Sequence, residues 1–229
     1  MRIFTLLVGL IFAFTGNSQV KALVGGILID GFGSTPIKNS IVIVDGEIIK
    51  AVGEMGKLEI PTDAEVISTE GMSVLPGLWD MHVHLMINGH ADYGHWDETY
   101  PPIFGNVIMP SSAKQLLMAG VTSARDLGGP LRESLDVRDR INNGEIPGPT
   151  MYMSGPFIQH EPYPGTEQFR WGVSSEKDAR DKVQQLADAG VDCIKLIDQD
   201  QMKIHPQLMK NDHPIERRCG GHLDRKSVV

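Results

Sequence analysis

Cysteine is scarce. The 229 residues contain 2, Cys193 and Cys219, too few for the multi-bridge framework of a small disulfide-stapled domain, so two free thiols are expected. An excess of positive charge is missing as well. Lys and Arg total 21 against 29 Asp and Glu, for a formal net charge of −8. Nucleic acid and anionic membrane both need clustered cations, so neither is expected as a partner. Nor does the N-terminal apolar run reach the ~20 residues of a membrane-spanning helix. It extends only from Ile3 to Phe14 (IFTLLVGLIFAF), follows Arg2 and gives way to Thr15-Gly16-Asn17-Ser18. A cationic start, a short apolar stretch and a small polar exit describe a secretory signal peptide. Residues 1–22 are therefore expected to be removed on export, with cleavage between Ser18 and Ala22. The product would be periplasmic or secreted, with no stable membrane span.

The 229 residues together have the composition of a turn-rich globular protein, with 41% hydrophobic residues and 25 glycines. Residues 23–75 read as β-rich. Ile41 to Val44 and Glu47 to Val52 flank Asp45-Gly46, a hairpin signal in which both central residues are expected at positive φ. LVGGILIDG and AEVIST supply further strands, giving a small antiparallel sheet or sandwich layer that carries no acid–base pair.

From Leu78 the grammar changes to helix, Gly, apolar strand, loop. Ser112 to Ala119 ends at Gly120 and leads into VTSARDL. PTMYMSGPFI is another strand candidate. Ser175 to Ala189, with Ala179, Val183, Leu186 and Ala187 on one face, ends at Gly190 and leads into VDCIKLI. Ser175 and Asp178 suit a capping box, and Gly190 suits the position just past a helix end. This repetition is that of a parallel α/β fold.

Gly77 to Leu85 (GLWDMHVHL) carries the chemistry. On a strand, residues i and i+2 share a face, so His82 and His84 stand side by side, about 6–7 Å apart at Cα, and can converge on one metal ion. The bland alternative is a pair of exposed histidines on an edge strand. Asp80 shares their face and suits an acceptor for a ligand imidazole, or else is a solvated residue near the strand start. His205 and His213 read as surface residues, as do His90, His95 and His160, which sit in Gly- and Pro-rich loops that could contact substrate.

The run Val74 to His84 (VLPGLWDMHVH) resembles the first barrel strand of the amidohydrolase superfamily, and the preceding hairpin resembles that superfamily's N-terminal β-sandwich piece. AGVTSARDLGG and AGVDCIKL resemble the second and fourth strands of the subgroup holding imidazolonepropionases and prolidase-like dipeptidases. The resemblance runs from Leu23 to Gln201. It implies an α/β fold, a partial (β/α)8 TIM-type barrel preceded by a small β-sandwich segment. In such members a lysine ending the fourth strand is carbamylated by CO2 and bridges two divalent ions. The matching position is Lys195. The modification makes physical sense: using a neutral lysine at pH 7 costs about 4–5 kcal/mol of deprotonation, whereas a carbamate offers two anionic oxygens to ions about 3.5–4 Å apart. The alternative is a lysine that snorkels to the strand's end. The histidine ending the family's fifth strand would be His222, within a weakly matching passage interrupted by Pro214. The resemblance thus implies a metal set of His82, His84, Lys195 and His222, with zinc as the ion. It also implies a small-molecule or dipeptide-like substrate and hydrolysis of amide, peptide or lactam C–N bonds.

A full barrel of this type takes about 250 residues, and the family's sixth-strand histidine and its proton-handling eighth-strand aspartate have no counterpart here. The expected layout is therefore a signal peptide at 1–22, an incomplete β-sandwich segment at 23–75, the first half of the barrel at 76–202 and an aberrant tail at 203–229. Such a fragment is expected to be inactive. The competing expectation is a non-catalytic exported binding protein that uses the half-barrel as an interaction surface.

Overall fold

The computed structural model describes residues 20–87, 92–160 and 164–197. The chain divides into two compact units, with the boundary between Pro76 and Gly77.

In the first unit, β1 (Lys21–Val24) lies between β3 (Ser40–Asp45) and β5 (Glu65–Ser68), and β4 (Ile48–Glu54) pairs with β3, giving the order β4-β3-β1-β5. β2 (Ile27–Leu28) and β6 (Ser73–Val74) form a separate two-stranded ladder. The larger sheet is mixed, because β5 joins β1 in parallel, which corrects the expectation of a purely antiparallel layer. Ile41, Val42 and Ile43 are buried together with Ala22, so the β-branched run supplies this unit's core. The hairpin is where expected, but its turn is displaced by one residue. Gly46 and Glu47 are the connecting pair, and Gly46 alone has positive φ (62°). That fits the hairpin class with glycine at the first central position, not the class that needs two positive φ values.

The second unit is parallel α/β. β7 (Leu78–Val83), β8 (Val121–Asp126) and β9 (Thr150–Met153) form one parallel sheet in sequence order. α2 (Met109–Met118) connects the first two strands and α3 (Leu131–Asn142) the second two. Before α2 the chain passes through α1 (Tyr93–Thr99), a 3₁₀ turn (Pro101–Ile103) and a π-helical turn (Phe104–Ile108). β10 (Phe157–Gln159) pairs in parallel with β11 (Arg170–Gly172), and α4 (Glu176–Ala189) follows. The described strands do not close a barrel.

Local chemistry explains the helix ends. Ser175 accepts the Asp178 N–H at 3.2 Å, while the Asp178 carboxylate takes the Ser174 N–H at 3.1 Å. The capping box thus forms with its return bond shifted by one residue. Gly190 closes α4 in the left-handed region at φ 88°, at little steric cost. α2 starts at Met109, three residues before the expected Ser112, with Pro110 in its first turn, where no N–H partner is needed. The core beneath the sheet gathers Ala124, Met151 and Met153 from the strands with Phe104, Met109 and Val137 from the helices. Val191–Ile197 was expected as a strand. It runs beside β10, with Ile158 N–H on Lys195 O and Ile197 N–H on Ile158 O, both at 2.9 Å, but makes only one isolated parallel bridge, Ile158 to Leu196.

Candidate metal centre

The strand that carries the two histidines is seated by a close approach. A Cβ added to Gly77 would lie 1.9 Å from Thr122 Oγ1 and 2.6 Å from its Cβ, so only glycine lets the start of β7 pass β8 here. Leu78 N–H then bonds Gly120 O at 3.0 Å, opening the parallel pairing.

At the other end of β7 the imidazoles converge. His82 Nε2 and His84 Nε2 lie 3.2 Å apart, with the rings inclined at 68°. That distance suits one N–H···N hydrogen bond. It also suits a shared ion, since two nitrogens each about 2.0–2.1 Å from a tetrahedral metal lie about 3.3 Å apart. His84 Nδ1 faces Gly128 O at 3.2 Å. A carbonyl can only accept, so this contact puts the ring proton on Nδ1 and leaves the Nε2 lone pair directed towards His82. Gly128 is tightly packed: an added Cβ would meet Phe157 Cδ1 at 2.7 Å and His84 Cε1 at 3.1 Å. The donor set therefore fits a metal: two imidazole nitrogens at ligand spacing, one with its tautomer fixed by a carbonyl.

Both imidazoles are held below the ordinary histidine pKa. For His82 the causes are burial, then the charges of Lys195 and Arg125, with Asp80 opposing. For His84 burial again leads, opposed by the Gly128 hydrogen bond, with further lowering by His82, Lys195 and Arg170. Lys195, 5% exposed, is thus close enough for its charge to bear on both rings. Its own pKa is lowered by burial and by Arg125, and Arg125 donates its Nε–H to Met81 O at 2.9 Å.

Asp80 turns its carboxylate to the peptide, where Oδ1 accepts the His82 backbone N–H at 3.1 Å. The ring acceptor expected of Asp80 is, at His84, the Gly128 carbonyl. His95 lies on α1, with its ring nitrogen 3.2 Å from Thr99 Oγ1. His90, His205, His213, His222 and Cys219 lie outside the described residues. Among the described residues, no three His, Cys, Asp or Glu side chains gather as a metal site.

Three residues that sequence reasoning did not single out belong to this neighbourhood. Arg125 is one. Asp126, ending β8, is 1% exposed and accepts two backbone N–H groups at 2.9 Å, from Leu85 to Oδ2 and from Gly128 to Oδ1. Burial pushes its pKa up to about 7 against those two bonds. The signal available was a carboxylate at a strand end directly before Leu127-Gly128-Gly129, where a short loop presents free N–H groups. Arg170 is the third. Its guanidinium lies 4.8 Å over the Phe157 ring, and it lines a cavity of about 400 Å³ with Tyr93, Asp97 and Glu98 of α1 and with Thr166.

Residues 73–214 match the sequence profile of the amidohydrolase family. Ochratoxinase of Aspergillus niger is 33% identical over 149 residues, 64% of this chain and 30% of that protein. A prolidase-like protein from Bifidobacterium longum superposes with a TM-score of 0.66 at 26% identity, covering 81% of this chain and 42% of that one. A prolidase solved with N-methylphosphonate-L-proline gives a TM-score of 0.66 at 25% identity, with 78% and 46% covered. The chain therefore spans less than half the length of these relatives.

Proposed function

Because the chain belongs to the amidohydrolase family and carries part of that family's barrel, we propose that it is part of an exported, metal-dependent hydrolase of amide, peptide or lactam C–N bonds. The observation that carries the reading is the convergence of His82 Nε2 and His84 Nε2 at 3.2 Å beside a buried lysine. His82 and His84 would hold one ion, Lys195 as its CO2-derived carbamate would supply oxygen ligands, and His222 is the candidate ligand of a second ion. Carbamylation would replace an ammonium disfavoured by burial and by Arg125 with an anion that the same arginine attracts. Zinc in such a site acts as a Lewis acid that polarises a carbonyl and acidifies water to near pH 7.

The residues of this chain then have defined tasks. Gly128 O keeps the His84 proton on Nδ1, so that Nε2 remains a ligand. The field around the pair keeps both imidazoles neutral below the usual histidine range. A small dipeptide-like substrate is the class that the prolidase-type neighbours suggest.

The test uses the full chain with zinc and ¹³C-bicarbonate. A carbamate carbon resonance that disappears in Lys195→Met is the expected result. Absence of the resonance at saturating bicarbonate contradicts the lysine's role.

A further inference from the structure

We propose that Asp126 is a positioning residue for His84, acting through the backbone of Leu85 and Gly128, the residues that follow His84 and face its imidazole; the proposal rests on the reading of His84 as a metal ligand. The carboxylate holds two separate strand ends at once. One oxygen takes the N–H of Leu85, the residue after His84, and the other takes the N–H of Gly128, whose carbonyl faces His84 Nδ1. One side chain thus fixes the backbone leaving the ligand and the residue whose carbonyl accepts the ligand's N–H hydrogen bond.

The surroundings leave this clamp little freedom. Leu127 N–H bonds Val83 O at 3.0 Å, and Ser154 N–H bonds Asp126 O at 2.9 Å, tying the same turn to β7 and to the segment after β9. Gly128 cannot retreat towards Phe157, which already lies within contact distance of where its side chain would begin. A shift of Gly128 on loss of its N–H bond to Asp126 would therefore move its carbonyl relative to the His84 ring. Carboxylates that accept backbone N–H groups make charge-assisted bonds about twice as strong as neutral ones. Asparagine in the same position offers one oxygen and one NH2 group, so one of the two N–H donors would face another donor.

Two measurements on the full chain at pH 8 test the proposal. Long-range ¹H–¹⁵N spectra of the imidazoles read the His84 tautomer without any metal. The wild-type chain should show Nδ1–H, and Asp126→Asn should shift His84 towards Nε2–H while leaving His95 unchanged. Zinc affinity should fall about 10–100-fold in the same variant, the range for losing an outer partner of a ligand. Met153→Leu, a buried change in the neighbouring strand, controls for general loosening and should leave the tautomer as in wild type. A wild-type His84 found as Nε2–H overturns the proposal even if Asp126→Asn does not fold. A folded Asp126→Asn chain that keeps the wild-type tautomer also overturns it. If the tautomer shifts as expected while wild type takes up no zinc, positioning stands and the metal reading falls.

Discussion

Replacing Asp126 with asparagine should change how the fold responds to pH, and the size of the change follows from the site. In the folded chain burial pushes this carboxyl from 3.8 up to about 7. The folded state therefore holds the proton to higher pH than the unfolded state does. Stability from this linkage is fully present below the unfolded value near 4 and is lost as pH rises through 7. Between pH 5 and pH 7.5 the wild-type chain should lose roughly 2–3 kcal/mol that Asp126→Asn, which cannot titrate, does not lose. Urea unfolding of both chains at the two pH values, in chelator-treated buffer, gives the difference directly. Subtracting the variant cancels every group that titrates alike in both chains. The linkage argument is refuted if the wild-type-minus-variant difference stays constant within ~0.5 kcal/mol, or grows with pH.

Further consequences concern Lys195 and Gly77. Lys195→Met should raise the pKa of both His82 and His84 in metal-free, bicarbonate-free buffer, because the lysine's charge lowers each of them; NMR titration of the two rings reads this, and unmoved values would put the lysine elsewhere. Gly77→Ala should destabilise the fold by about 1–3 kcal/mol through overpacking, since its Cβ would fall 2.6 Å from Thr122 Cβ. Adding Thr122→Gly should recover most of that loss in urea unfolding, and no recovery would assign the cost to something other than this contact.

Elements governed by neighbouring residues were legible in the sequence. The Ser175 cap, the Gly190 stop and the 41–52 hairpin each depend on a few adjacent side chains, and each forms close to the expected place. The hairpin turn moved by one residue because one positive φ, at Gly46, suffices for the connection. α3 escaped notice because its buried stripe is Ser134, Val137 and Ile141, two apolar residues and a hydroxyl among charges, too thin for periodicity to register. β5 reads as a strand from its composition, but its parallel direction beside β1 is a matter of chain path, not of its own residues. The same divide runs through the candidate centre. His82 and His84 pair through strand periodicity alone. Asp126 acts on Leu85, 41 positions away in sequence, and only the parallel pairing of β7 with β8 brings them together. Read alone, an aspartate after an arginine looks like a solvated charge.

The account depends most on His82 and His84 sharing an ion. Equilibrium dialysis of the full chain against zinc, with bound metal counted by mass spectrometry, addresses this without requiring activity. The wild-type chain should retain zinc that the folded double variant His82→Ala, His84→Ala loses at the same free concentration. Equal retention by the two chains would contradict the metal centre.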